Sequence, residues 1–364
     1  MQSTLRLDEG SPYRQLIGVG GIGAGLFFAL EGDHTLGRNE SRLARQLPVR
    51  DYYKLHIIAH YVAVLLGPAF PVLPLGKVGD DQTGERLRAE MAAAGMDLRF
   101  VESVPGEPTP LSVCFQYPDG SGGNITAIPT AALALSEADI ARAEPLFAAQ
   151  PGRTIALAAP EAPLAVRDQL LRLAGRYSAL RVASFTSAEL EEARRLGMLC
   201  RVDLLAINED EAAALTGCSF DPQDPWPLLT ACRAVLAAEQ PAMRLLISAG
   251  RYGVYAWAEG AWDHCPAAEI AVASTAGAGD ALLAGTLAGL ACGLPLIVPG
   301  PPRAHLGDRP LGSALDLGVL LASLSVTSPH TIHPQADAAS LAALVRELHL
   351  HLADPLSEIL SFSG

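Results

Sequence analysis

Residues 274–293 run Ser-Thr-Ala-Gly-Ala-Gly-Asp-Ala-Leu-Leu-Ala-Gly-Thr-Leu-Ala-Gly-Leu-Ala-Cys-Gly, and the fold hinges on how this stretch is read. Small residues and two glycines lead into an apolar helix, with one acid, Asp280, where that helix begins. N–H groups at a helix start lack partners within the helix and carry partial positive charge, so they can hold an anion. Gly277 and Gly279 let the backbone approach a ligand closely. A carboxylate at the mouth of such a nest repels a resting anion. Its natural use is to take a proton from a hydroxyl while the nest stabilises charge on a group in transfer. Taken alone, Gly-Ala-Gly-Asp reads better as an ordinary loop followed by a helix with an acid in its first turn; the rest of the chain changes that balance.

At 364 residues, half of them hydrophobic, the chain can bury a large core. A formal net charge of −13 argues against binding nucleic acid or an anionic membrane, which need a basic surface. The six cysteines are scattered with no C-x-x-C pair, a pattern of reduced thiols that predicts a cytoplasmic protein. The first residues carry acids and no apolar core, so no signal peptide is expected. Residues 281–299 carry no charge, and Gly285, Gly289 and Gly293 recur every fourth position. That spacing also occurs in paired membrane helices. Pro295 and the absence of a second candidate span favour a short buried helix whose small face packs on a sheet or a ligand.

Residues 16–25 read as a short strand running into glycines, with G-x-G-x-x-G at Gly18, Gly20 and Gly23. The acid expected about twenty residues on, after a second strand, is not marked out in the polar, loop-like stretch 31–42, so the motif stays weak. Residues 51–66 predict a helix carrying His56 and His60 four apart, without the third ligand a metal would need. A strand over 71–79, a helix over 80–94 and strands over 97–101, 109–117 and 124–128 follow; these three strands suggest a small antiparallel sheet. From residue 153 strands and helices alternate, which implies a parallel sheet covered on both faces. Ligands of such sheets bind at the carboxyl ends of strands. Asn208, Glu211, Ser248, Gly250 and the loop at 274 all follow strands, although Asn208 and Glu211 are also residues that cap and charge a helix start.

Several motifs in order make the chain resemble the ribokinase-like, or PfkB, family of carbohydrate and nucleoside kinases. They are Ser274-Thr-Ala-Gly-Ala-Gly-Asp280, Gly76-Lys-Val-Gly-Asp-Asp-Gln-Thr-Gly84, Pro108-Thr109, Asn208-Glu-Asp-Glu211 and Ser248-Ala-Gly-Arg-Tyr-Gly253. The resemblance implies a single three-layer α/β domain over 1–364, mainly a parallel sheet with helices on both faces. It adds a small β-sheet lid from roughly 30–50 and 97–130. It implies ATP-dependent transfer to a hydroxyl of a sugar, nucleoside or related polyol, with Mg²⁺. Asp280 would be the general base and the N–H groups from Ala276 through Gly277 and Ala278 to Gly279 the anion hole. Asn208 and Glu211 would place Mg²⁺ through water. Ser248, Gly250, Gly253 and Thr275 would line the nucleotide side, and a homodimer could form through the lid.

Two departures stand out. Ser274 occupies the place of an Asp that often serves a monovalent-cation site, so the resemblance leaves potassium activation open here. The early substrate-binding acid and the following Gly-Gly helix start are not matched near the N-terminus. Asp33, Arg38, Asn39, His56 and His60 are the candidates for acceptor contact there. These departures also open a second reading, a degenerate relative that binds a nucleotide or metabolite as a sensor.

Overall fold

The computed structural model describes residues 3–119 and 122–361. Thirteen strands are found among them: β1 Gln15–Val19, β2 Ala24–Leu30, β3 Ala44–Tyr52, β4 Val72–Gly79, β5 Val101–Val104, β6 Leu111–Gln116, β7 Gly122–Thr126, β8 Thr154–Ala158, β9 Leu180–Ala183, β10 Leu204–Asn208, β11 Arg244–Ser248, β12 Val254–Ala258 and β13 Ala261–Cys265. Nine form one sheet in the order β13-β12-β11-β10-β9-β8-β1-β4-β5. Its pairings are parallel from β11 to β5, and the β12–β13 hairpin adds an antiparallel edge. The central strands are apolar on both sides because each side is covered. Leu16 of β1 belongs to one core, and Ile17 and Val19 to the other.

One face carries the helices Lys54–Leu66, Ala278–Ala291 and Ala314–Val326; the other carries Leu164–Arg176, Glu209–Thr216 and Trp226–Glu239. The glycine stripe packs against a helix rather than against the sheet or a ligand. A Cβ on Gly285 would lie 2.8 Å from Gly318 Cα, and one on Gly289 2.8 Å from Ala314 Cα. Ala278–Ala291 is too short for a membrane span, and no helix among the described residues is long and apolar enough to cross one.

A second sheet, ordered β3-β2-β6-β7, stands apart from the first. It differs from the expected small sheet in three ways. Residues 101–104 pair with β4 in the main sheet, so the segment at 97–101 contributes nothing to the lid. β2 pairs with β6 in parallel, so the small sheet is mixed. Asp51 and Tyr52 close β3, and the helix begins at Lys54. β2 and β3 were hidden because they pair mainly with each other and with β6. Most of β3 is exposed, so its polar residues carry no buried alternation. The tip of the turn expected at 118–123 includes residues 120–121, which lie outside the described residues. The hairpin strand β13 and the helix Trp226–Glu239 also went unread from sequence.

The Pro-rich loop at 295–312 is held by a buried charged network. Arg303 donates to Asp316 Oδ1 (2.7 Å), to Asp263 Oδ2 (3.2 Å) and to the His264 carbonyl (3.0 Å). Asp316 Oδ2 also accepts the Ser313 N–H (3.0 Å) while Ser313 Oγ accepts the Asp316 N–H (3.1 Å), a reciprocal cap on the helix that covers Ala278–Ala291. Among the described residues all six cysteines are free thiols.

Candidate active site

β1, β8, β9, β10 and β11 run parallel, so their carboxyl ends share one edge of the sheet. At that edge a cavity of about 750 Å³ opens. Asp280, Gly277, Ala278 and Gly279 form one wall, with Thr275 beside them. Asn208 and Glu211 from the end of β10, Ser248 closing β11, and Gly250 and Gly253 just beyond it also line the cavity, and Val272, Val319 and Val326 add apolar lining. Residues 226 positions apart in sequence therefore meet, since Lys54 and Asp280 line the same space.

The nest loop is shaped by Gly277, at φ 80°, where a Cβ would lie 2.7 Å from the Thr331 carbonyl. Ala276 N–H donates to Ser274 Oγ (3.2 Å), and Ala278 N–H to the Thr275 carbonyl (3.2 Å). Ala276 is not among the cavity residues. Gly279 N–H lies in the first helical turn, where N–H groups have no partner inside the helix. Thr331 also accepts Tyr52 N–H through its hydroxyl (3.2 Å) and donates its own N–H to Arg50 O (3.1 Å). The nest loop thus rests on a segment tied to lid strand β3.

Asn208 and Glu211 cap their own helix reciprocally: Glu211 N–H donates to Asn208 Oδ1 (2.7 Å) and Asn208 N–H to Glu211 Oε2 (2.9 Å). Glu211 Oε1 is left facing Lys54 Nζ at 3.7 Å. Among the described residues no group of three or more His, Cys, Asp or Glu side chains could hold a metal. A Mg²⁺ here would take at most one or two protein carboxylates, with phosphate and water completing its shell, an arrangement this ion accepts.

Of the acceptor candidates, Asp33, Arg38 and Asn39 sit on the exposed loop between β2 and β3. His56 is 1% exposed and packs on the Tyr52 ring, 4.5 Å between centroids, and beside His60. None of these five lines the cavity. Instead, Lys54, Glu161 and Asp51 gather around Asp280. Glu161 follows β8 with φ 69° and accepts the Lys54 N–H through Oε2 (3.2 Å). Gly21, at the end of β1, leaves room for it, since a Cβ there would lie 2.5 Å from Glu161 Cβ. An acid just past the carboxyl end of a parallel strand is a legible signal for Glu161. Lys54 carries none.

Burial pushes Asp280 up to about 6, opposed by Lys54 and aided by Glu211. Burial likewise raises Asp51 to about 6 and Glu161 to about 8, with Asp280 adding repulsion to both. Burial works against the Lys54 ammonium, yet Asp280, Glu211 and Glu161 hold its pKa above the ordinary value.

A mainly parallel sheet with helices on both faces, a separate four-stranded sheet and an acid at a helix start beside the strand ends make up the ribokinase-like fold. Residues 58–338 match the pfkB family carbohydrate kinase, and the chain belongs to that family. A fructokinase from Klebsiella pneumoniae is 28% identical over 240 residues, covering 61% of this chain and 72% of that protein. The ribokinase of Arabidopsis thaliana, solved with ribose and ATP, superimposes with a TM-score of 0.68 at 19% identity, over 92% of this chain and 99% of that one. The nucleoside kinase of Burkholderia thailandensis, solved with inosine, gives 0.66 at 18% identity, over 93% and 99%.

Proposed function

We propose that the protein transfers the γ-phosphoryl group of ATP to a hydroxyl of an uncharged sugar or nucleoside. The carrying observation is that Asp280 stands at the start of the helix Ala278–Ala291, in the wall of a cavity that Lys54 also lines, with Glu161 near enough to act on it. Asp280 takes the acceptor proton, and the N–H groups at Gly277 and Gly279 hold the oxygens of the group in transfer. The Ala276 N–H, bonded to Ser274, serves the shape of the loop. Mg²⁺, bound with the nucleotide near Glu211, would neutralise phosphate charge.

Asp280 lines the cavity beside the single ammonium of Lys54, and Asp51 and Glu161 lie near enough to act on Asp280 without lining the cavity. A phosphate or carboxylate on the acceptor would meet the Asp280 carboxylate there, which supports a neutral polyol. The same carboxylates weigh against the sensor reading, because they supply acids that the end of β1 lacks. A homodimer through the lid is supported by apolar side chains exposed on it, among them Leu43 (74%) and Ile125 (62%). A cytoplasmic location is supported by the free thiols.

The test is ATP consumption over D-fructose, D-ribose, inosine, fructose 6-phosphate and gluconate. Turnover of a neutral acceptor that is lost in Asp280→Asn supports the proposal. Nucleotide binding without turnover on any acceptor favours the sensor reading, and preference for an anionic acceptor overturns the charge assignment.

A further inference from the structure

Lys54 opens a helix, Lys54–Leu66, whose first turn contains no acid. A cation at the positive end of a helix dipole is unfavourable, so the helix gains nothing from it. Its side chain is only 30% exposed and lines the cavity with Asp280. Its partner Glu211 is held at 3.7 Å, longer than the 2.7–2.9 Å of a tight charged hydrogen bond. Glu161 accepts the Lys54 backbone N–H and makes no ion pair at bonding distance with its ammonium. Arg251 is the other lysine or arginine lining the cavity, and it belongs to the turn after β11, beside Gly250. A phosphoryl group entering between Asp280 and Glu211 would face two carboxylates and one nearby cation.

We propose that Lys54 is a catalytic residue whose ammonium leaves Glu211 to bind an oxygen of the phosphoryl group as it passes from nucleotide to acceptor. This rests on the reading of Asp280 as the base. In the step the acceptor oxygen forms the new O–P bond and its proton goes to Asp280. The bond from the γ-phosphorus to the β,γ-bridging oxygen breaks, and ADP leaves with that electron pair. Lys54 keeps its proton and forms no covalent bond. Its charge matters most when negative charge spreads over the transferring oxygens.

The experiment compares wild type, Lys54→Met, Lys54→Arg and Asp280→Asn by calorimetry with Mg·ADP and with the Mg complex of β,γ-imido-ATP. Turnover is measured on whichever of D-fructose, D-ribose and inosine is accepted. Lys54→Met is expected to weaken the triphosphate analogue about tenfold, leave ADP within about twofold and cut kcat by about 10²–10³-fold. It should also move the acid limb of the pH profile upward, because Asp280 loses its cation. Lys54→Arg should recover part of the triphosphate affinity. Equal losses for both nucleotides, or no loss for either, overturn the proposal. If Asp280→Asn turns over normally while Lys54→Met is impaired, the base assignment fails and the phosphate contact stands. If Asp280→Asn is inactive while Lys54→Met is normal, the Lys54 role alone fails.

Discussion

Thr109 donates both its backbone N–H and its hydroxyl to the carboxylate of Asp81, at 2.8 and 2.6 Å. The same carboxylate caps the helix Gln82–Ala93 through Gly84 N–H (2.8 Å), and Thr109 Oγ1 accepts Gly79 N–H (2.9 Å) from the end of β4. One acid therefore joins a main-sheet strand, a helix start and the residue leading into lid strand β6. Asp81→Ala removes the cap and leaves Thr109 short of an acceptor, a loss of about 1–3 kcal/mol. The expected outcome is a lower Tm together with a raised acceptor KM, read by thermal melts and initial rates. An unchanged KM would separate this knot from lid placement.

Activity should follow the ionisation of Asp280. With its pKa pushed up to about 6, kcat/KM is expected to rise as pH increases through that value. The stability effect has the opposite sign. The folded-state pKa lies above the unfolded value, so Asp280 favours the fold most at low pH and loses this contribution as pH rises through about 6. Asp280→Asn should therefore stabilise the protein at pH 7–8 by on the order of 1 kcal/mol, with the gain gone below about pH 4. Melts across pH, set beside the rate profile, read both signs at once.

The contact between the nest helix and Ala314–Val326 has no spare volume. A Cβ on Gly318 would lie 2.3 Å from Thr286 Oγ1 and 2.6 Å from the Leu282 carbonyl. Gly318→Ala is expected to cost about 1–3 kcal/mol from overpacking, against a helix-propensity gain of at most about 1 kcal/mol. Gly175, exposed in the helix Leu164–Arg176, is the control: a Cβ there has its nearest neighbour at 3.4 Å, so Gly175→Ala should stabilise. Denaturant titrations of the two variants should move in opposite directions.

His56 and His60 are expected to set the acid limit of stability. Burial lowers His56 to about 3 and His60 to about 4, so the fold holds both neutral. Tyr52, His60 and Arg86 face His56, and none of them hydrogen bonds either of its ring nitrogens. Since the folded pKa lies below the unfolded one, stability is present above about pH 6.5 and drains as pH falls toward 3–4. His56→Phe keeps an aromatic ring against Tyr52 and removes this titration. The midpoint of acid unfolding should shift downward; no shift would assign acid loss to other groups.

The layered core was legible in the sequence because parallel strands buried on both faces are written as short apolar runs. Residues 154–158 form β8 as expected, and the boundaries of β4, β10 and β11 shift by only a residue or two. Two of the cavity-lining segments were legible for a similar reason: the Ser274–Asp280 loop and the Asn208–Glu211 cap are local patterns with local physical causes. The lid strands β2 and β3 were not, since their register depends on partners distant in sequence and little of β3 is buried.

The acceptor side was the least legible part. His56 and His60 carry groups typical of a site, yet helical phase turns them into the core beside Tyr52. Lys54 carries no sequence signal and Glu161 only its place after a strand, and 107 positions separate them. They meet because β1 and β8 are neighbours in the sheet and Gly21 leaves space for Glu161. Sequence alone determined the family and the placing of Asp280 at a helix start, because each is encoded within a few consecutive residues. Only the tertiary structure decided which charges surround Asp280, since that depends on strand order, and strand order brings together side chains that no short pattern connects.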